Sequence, residues 1–268
     1  MTPSARHNAI LDRLARDGEV TVETLVKQFR VNAVTVRRDL ARLERQGLLA
    51  RTHGGAIASR GSTVEFAFQK RQQTHPAEKA AIARAAAAMV EPGMAVCLDT
   101  GTTTLEVARR IAPVANLTVL TSSLAIASVL YPHENIELML LGGTVRKGRA
   151  DLFGQITEEN LRRFRVHLAF LGADAASPDG LFTTDTHIAR VSRAILEGAA
   201  KAVLVADHSK FQATSFVKFA DWNDIDGVIT DAGAPAAVRA WLGGLAAAVT
   251  YAAVAARSGK QPQEQEHG

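Results

Sequence analysis

From residue 94 onward one unit recurs along the chain. Short apolar runs, MAVCLD (94–99), LTVLTSS (117–123), IELMLLGG (136–143), VHLAFLGAD (166–174), KAVLVAD (201–207) and DGVITDA (226–232), have the length of strands and stay apolar on successive residues. Helical patterns stand between most of them, among them Glu78 to Met89, Thr104 to Ile111 and His187 to Gly198. A strand that faces water on one side alternates apolar with polar residues, whereas a strand covered on both sides does not. The pattern therefore predicts an α/β domain over residues 78–256, with a parallel-rich sheet and helices on both faces. Two Ala-rich stretches, 80–89 and 235–249, read as helices whose small-residue faces are candidates for contacts within the chain or between copies.

The first sixty residues differ in kind. They hold eleven Lys/Arg and six Asp/Glu, a balance of 11 − 6 = +5, while the whole 268-residue chain is +4, leaving 4 − 5 = −1 for the remainder. Positive charge gathered on a small segment suits a polyanion such as DNA. Ile10, Leu11 and Leu14 recur at helical spacing before an Asp17-Gly18 turn; Thr21 is placed to cap a second helix with Val22, Leu25, Val26 and Phe29 on its apolar face. Arg30 to Asn32 leaves room only for a tight turn, with Asn32 as the next cap. A third helix follows from Ala33 to Gln46, with Val36, Leu40 and Leu43 toward the core and Gly47 as its stop. LLARTHGGAI then reads as a strand, a Gly54-Gly55 turn and a return strand. Residues 1–58 are thus expected to form a mainly α winged helix-turn-helix domain, 59–77 a linker, and 257–268 a disordered tail.

In that arrangement the second helix of the pair enters the major groove. Its outer surface is left to Ala33, Val34, Arg37, Arg38 and Arg42, with Asn32 and Thr35 at its start and Arg51 and His53 on the wing. An arginine fork can bond guanine O6 and N7 together or clamp a phosphate. Arg37 and Arg38 differ by about 100° around the helix axis, so one is expected to read a base while the other, with Arg42 and Arg45, holds backbone phosphates. The alternative is a solvated basic helix carrying an Asp39–Arg42 pair at i, i+3. RHNAIL through VNAVTVRRDLARLERQGLLARTHGGA resembles the helix-turn-helix of the DeoR family of bacterial sugar-metabolism regulators, with Asn32 where serine is usual and Val36 where isoleucine is usual.

The strand ends of the second domain form a second constellation. In CLDTGTTT, Gly101 permits a tight backbone, Thr102 and Thr103 offer hydroxyls, and a helix N-terminus offers free N–H groups, so the spot favours a phosphate; Asp99 can accept from sugar hydroxyls. An ordinary threonine-rich cap is the plainer reading. Thr121-Ser122-Ser123, Gly142-Gly143 with Arg146, Gly172-Ala173-Asp174 and Asp207-His208-Ser209-Lys210 also follow strand candidates, and ligands of open α/β sheets bind beyond those carboxyl ends. Lys79 and Lys210 are placed to neutralise a phosphate or to be plain surface lysines. The DeoR resemblance extends over about residues 4–232, through Glu78-Lys79, Asp99 to Thr103, Thr121 to Ser123, Gly142-Gly143 and Asp207 to Phe211. It implies a fold like ribose-5-phosphate isomerase and a phosphorylated sugar or related metabolite as effector; together with the strand-end reading, the expected contacts are Lys79, Asp99, Gly101, Thr102, Thr103, Thr121, Ser122, Gly143, Arg146, Asp174, Asp207 and Lys210. Ser122 stands where the family has asparagine, and His187-Ile188 and Ser192 stand where many members have acidic residues and a lysine.

These features imply a DNA-binding transcription factor, a repressor working as a homodimer or homotetramer on an operator in double-stranded DNA. The rival is a sugar-phosphate isomerase-like or hydrolase enzyme with an appended DNA-binding domain, with Asp99 and Asp174 as acid and base. Against it, the eight histidines are scattered and no nucleophile–base motif appears. GTVRKGRA (143–150) has the glycine spacing of a P-loop but Arg149-Ala150 where Lys-Ser/Thr is required. No cofactor or metal is expected. Cys97 is the only cysteine, which excludes an intrachain disulfide, and no apolar run approaches the ~20 residues of a membrane span. A cytoplasmic protein is the expectation.

Overall fold

The computed structural model describes residues 2–45, 48–57, 68, 71–146 and 149–254. The helix stop expected at Gln46-Gly47, most of the expected linker and the expected tail lie outside them. The N-terminal helix α1 (Pro3–Asp17) begins at Thr2, whose hydroxyl accepts from the Ala5 N–H, and ends on Gly18 at φ 77°. A short strand β1 (Glu19–Thr21) follows, then α2 (Val22–Phe29), where Thr21 and Thr24 cap each other reciprocally. Asn32 Oδ1 accepts from the Thr35 N–H at 2.8 Å and starts α3 (Ala33–Arg45). Ile10, Leu11 and Leu14 of α1, Leu25 of α2, and Val36, Leu40 and Leu43 of α3 form one closed core.

The wing is a three-stranded sheet, β1 beside β3 (Gly55–Ile57) beside β2 (Ala50–Arg51). The sequence reading has no strand β1, because three residues between a turn and a cap carry no periodicity. Its presence explains Gly55: a Cβ there would lie 1.9 Å from the Val20 carbonyl oxygen.

The second domain holds a seven-stranded, wholly parallel sheet in the order β15-β14-β12-β9-β4-β5-β6. Its strands are β4 (Ala95–Leu98), β5 (Leu117–Thr121), β6 (Ile136–Leu140), β9 (Leu168–Leu171), β12 (Ala202–Val205), β14 (Gly227–Asp231) and β15 (Ala248–Ala252). Successive residues face opposite sides. Val96, Leu98, Phe170 and Val205 pack with α4 (Pro76–Ala87), α5 (Thr102–Ile111) and α6 (Leu124–Leu130); Cys97, Leu171 and Leu204 pack with α7 (Gln155–Arg162), α8 (Thr186–Gly198) and α9 (Ala236–Leu242). A hairpin of β7 (Thr144–Val145) and β8 (Leu152–Phe153), and a small antiparallel sheet of β10 (Ala175–Ser177), β11 (Gly180–Thr183) and β13 (Val217–Ala220), lie outside the main sheet.

One helix expectation is corrected. The Ala-rich stretch 235–249 does not form one helix: α9 ends at Leu242, and Ala248 to Ala252 pair in parallel with Gly227 to Asp231 as β15. Backbone pairing to an otherwise open edge, with Val249, Thr250 and Tyr251 suited to a strand, overrides the helical bias of the alanines.

Within the DNA-binding half, Asp39 is buried instead of lying beside Arg42. Arg6 Nε and Nη2 donate to its two oxygens at 2.6 and 3.2 Å, and His7 Nε2 lies 2.8 Å from Oδ1, tying α1 to α3. Burial alone would raise the Asp39 pKa; the hydrogen bonds from Arg6 and His7 outweigh it and hold the carboxyl below its ordinary range. Its contribution to stability is therefore present above the ordinary carboxylate range and lost as the pH falls through the lowered value. Asp39→Ala leaves a buried arginine without its counter-ion, a loss of about 3–5 kcal/mol in such pairs. Native-state hydrogen exchange in α3 should accelerate accordingly; unchanged exchange would mean that the pair does not hold the helix.

Candidate functional site

Strands β4 and β9 are hydrogen-bonded neighbours, but the chain runs from β4 toward β5 and β6 and from β9 toward β12, β14 and β15. The sheet order thus reverses between them, and a crevice opens beyond their carboxyl ends, where ligands of open α/β sheets bind. Asp99 and Thr100 to Thr104 line one side of it, Gly172 to Asp174 another, and Arg146, Arg149, Ser192, Lys210 and Arg71 complete the wall. The N–H groups of the first turn of α5 have no intrahelical acceptor and carry the positive end of the helix dipole.

Asp99 is 2% exposed. Its Oδ1 accepts from the Thr100 N–H at 2.7 Å, while the Gly172 N–H and Ser192 Oγ stand at 3.4 and 3.5 Å from Oδ2. Burial pushes its pKa up to about 7, against the lowering effect of the Thr100 and Gly172 N–H groups. Asp174 goes the other way. Burial raises it, but the Thr184 N–H, the Arg71 charge and the Thr183 and Thr184 hydroxyls prevail, so it remains a carboxylate. Arg146 is committed to two carboxylates: Nε donates to Asp151 Oδ1 at 2.8 Å, Nη1 donates to Asp185 Oδ2 at 2.7 Å, and Nη2 also meets Asp151. Among the described residues no side chain pairs with Arg149 or Lys210.

Of the twelve residues expected at an effector site, Asp99, Gly101, Thr102, Thr103, Arg146, Asp174 and Lys210 meet in this crevice. Lys79, Thr121, Ser122, Gly143 and Asp207 stand outside its lining. Lys79 and Asp207 face each other, Nζ to Oδ2 at 3.7 Å, and Lys79 Nζ also donates to the carbonyls of Arg71 and Thr74. Thr121 Oγ1 donates to the Leu98 carbonyl at 2.8 Å, fixing the end of β5 to that of β4. Gly143, at φ 117°, lets Thr157 approach to where a Cβ would be 2.1 Å from its hydroxyl. The Ser122 hydroxyl is buried and without a partner, the position where asparagine is usual in the family resemblance. Arg71, Arg149 and Thr183 are crevice residues that the sequence reading does not place at an effector site, and Ser192, which it names only as a departure from the family, also lines the crevice. Arg71 lay within the expected linker, and Arg149 drew notice only as a misfit to a P-loop.

On the other domain, Arg37, Arg38 and Arg42 project from the exposed face of α3, and no described residue pairs with them. Val34, an apolar side chain 61% exposed, stands beside them; Ala33 and Thr35 are half-buried, and Asn32 caps the helix. His53 is exposed on the wing, while Arg51 lies 3.7 Å from Glu44. Among the described residues no group of three or more His, Cys, Asp or Glu could hold a metal ion, and no helix is long and apolar enough to cross a membrane.

Residues 6–60 match the DeoR-like helix-turn-helix domain, and residues 74–232 match the DeoR C terminal sensor domain. The chain belongs to the DeoR family. It is 35% identical to a putative aga operon transcriptional repressor of Escherichia coli O157:H7 over 87% of this chain and 88% of that one. It is 36% identical to the glycerol-3-phosphate regulon repressor of Escherichia coli K12 over 89% and 94%. Among solved structures, ribose 5-phosphate isomerase A of Methanocaldococcus jannaschii is similar over 50% of this chain and 53% of that one, at 20% identity and a TM-score of 0.36. The DeoR-family chain is a transcriptional regulator with a DNA-binding and a sensor domain, which removes the enzyme alternative.

The raised pKa of Asp99 has a measurable sign. An aspartate near 3.8 when unfolded and about 7 when folded favours the native state at low pH, and that advantage disappears as pH rises through about 7. Urea unfolding at pH 5 and pH 8 should show Asp99→Asn gaining on the wild type at the higher pH, by roughly 2–4 kcal/mol at ~1.4 kcal/mol per pKa unit. Parallel pH profiles for the two proteins would rule out a buried neutral carboxyl.

Proposed function

We propose that this protein represses a carbohydrate-metabolism operon and is released from its operator when a phosphorylated sugar or related metabolite fills the crevice. The observation that carries the reading is the composition of that crevice: the first-turn N–H groups of α5, two cations that no described side chain pairs with, and an Asp99 carboxyl that keeps its proton up to about pH 7, in a chain that also bears a helix-turn-helix. N–H groups and cations suit a phosphate, and carboxyl and hydroxyl groups suit the hydroxyls of a sugar. The two bacterial relatives, a putative aga operon repressor and a glycerol-3-phosphate regulon repressor, support the same class.

The ligand acts by differential affinity. It lowers operator occupancy only if it binds the DNA-incompetent arrangement more tightly than the competent one, and operator DNA then lowers ligand affinity by the same factor. A homodimer or homotetramer working in the cytoplasm fits the need of a helix-turn-helix to grip two half-sites. On α3, one of Arg37 and Arg38 reads a base, and the other, with Arg42, holds phosphates; Arg51 and His53 reach the backbone or the minor groove.

Two experiments test the two halves. In operator titrations, Arg37→Ala and Arg38→Ala should each weaken binding, the base reader also relaxing preference at one position by ~1–3 kcal/mol; wild-type affinity in both would defeat the docking. Lys210→Ala should bind operator normally yet need far more phosphorylated sugar for release, and normal release would remove Lys210 from the effector site.

A further inference from the structure

We propose that Arg71 is a ligand-binding residue of the crevice that selects phosphorylated over unphosphorylated molecules, exchanging Asp174 for the ligand's phosphate. The inference rests on the reading of the crevice as a metabolite site, and it names the group that reads the charge.

Three observations carry it. The Arg71–Asp174 contact is loose, with Nη1 3.4 Å from Oδ1, well beyond the 2.7–2.9 Å of a charge-assisted bond. Asp174 does not depend on it, because its other oxygen accepts from the Thr183 hydroxyl at 3.0 Å and from the Thr184 N–H and hydroxyl at 3.0 and 3.1 Å. Second, Arg71 Nε is buried and has no hydrogen-bond partner among the described residues, although a guanidinium carries five donors that a tetrahedral oxyanion can satisfy in pairs. Third, a second uncommitted cation stands near it, although the Asp174 and Asp151 carboxylates also attract Arg71. Arg146 and Arg149 both push against it; Arg146 is committed to Asp151 and Asp185, but Arg149 is not committed to any described side chain. Arg71 and Arg149 thus bring unspent donors and charge to one wall, which a multi-oxygen dianion would satisfy and a neutral sugar would not.

The backbone beneath Arg71 is fixed while its side chain is not. Lys79 Nζ donates to the Arg71 carbonyl at 2.9 Å and to that of Thr74, and is itself held toward Asp207. Lys79 and Asp207 are therefore positioning residues: they hold the turn from which the guanidinium reaches the crevice. Phe68 lines the crevice together with Arg71.

The test is a thermal-shift titration of the full chain with inorganic phosphate against sodium chloride of equal ionic strength. The stabilisation of a native state follows ligand concentration over Kd, so displaced curves report affinity separately from any change in basal stability. Wild-type protein should be stabilised by phosphate beyond chloride. Arg71→Gln should need at least tenfold more phosphate for the same shift, Arg71→Lys should fall between, and Asp174→Asn should need less because the competing carboxylate is gone. Arg149→Gln is the control for the crevice itself. If Arg149→Gln weakens the phosphate response and Arg71→Gln does not, the crevice reading stands and the role of Arg71 is overturned. If neither variant matters, or the wild type does not respond, the crevice is not an anion site and both readings fall.

Discussion

β4 and β9 lie side by side, yet the chain leaves them toward opposite edges of the sheet, so no single crossover covers the gap beyond their ends. Much of the sensor domain's arrangement follows from that. β4 delivers Asp99 and the start of α5 to one lip, and β9 delivers Gly172 to Asp174 to the other. The β7–β8 hairpin carries Arg146 and Arg149 in from the β6 side, and the residues after β12 bring Lys210. The five inner strands, buried on both faces, provide a rigid floor; the groups that can meet a ligand stand on short connections above it, where polar side chains are tolerated.

The charges in this space are arranged in opposed states. Asp99, deep and with few donors, holds its proton up to about pH 7, whereas Asp174, with three donors on one oxygen, loses its proton below the ordinary carboxylate range. Arg146 is engaged in holding the hairpin to the start of α8, leaving, among the described residues, Arg149, Lys210 and the loosely held Arg71 to answer an anion. The DNA-binding half divides labour in the same way. Asp39 neutralises Arg6 inside the domain, and its two arginine neighbours in sequence, Arg37 and Arg38, keep their charge outside it.

Much of this was legible in the sequence. Apolar runs of strand length with caps and glycines at their ends marked six of the seven parallel strands, and the i, i+4, i+7 spacing of Val36, Leu40 and Leu43 gave the core face of the recognition helix. β15 escaped because its alanines favour a helix and only the open edge of β14 makes a strand of them. β1 and the small antiparallel sheet are too short for periodicity to register. In the crevice, motif residues at strand ends were readable because backbone geometry restricts their types. Arg71 and Arg149 were not, since a lone arginine in a connection has no sequence signature and acquires one only when folding sets it beside Asp174. Lys79 and Asp207 show the converse: both belong to recognisable motifs, and the fold turns them toward each other.

The central claim is that a phosphorylated metabolite sits at the switch point, and a crystal structure of the full chain grown with whichever sugar phosphate raises its thermal stability tests it most directly. The account predicts density for the phosphate at the first turn of α5, within hydrogen-bonding distance of the Thr102 or Thr103 N–H groups and of Arg149 or Lys210. Density elsewhere, with the crevice unchanged, would contradict it; the exposed basic groove of Arg190 and Arg193 is the plainest such place.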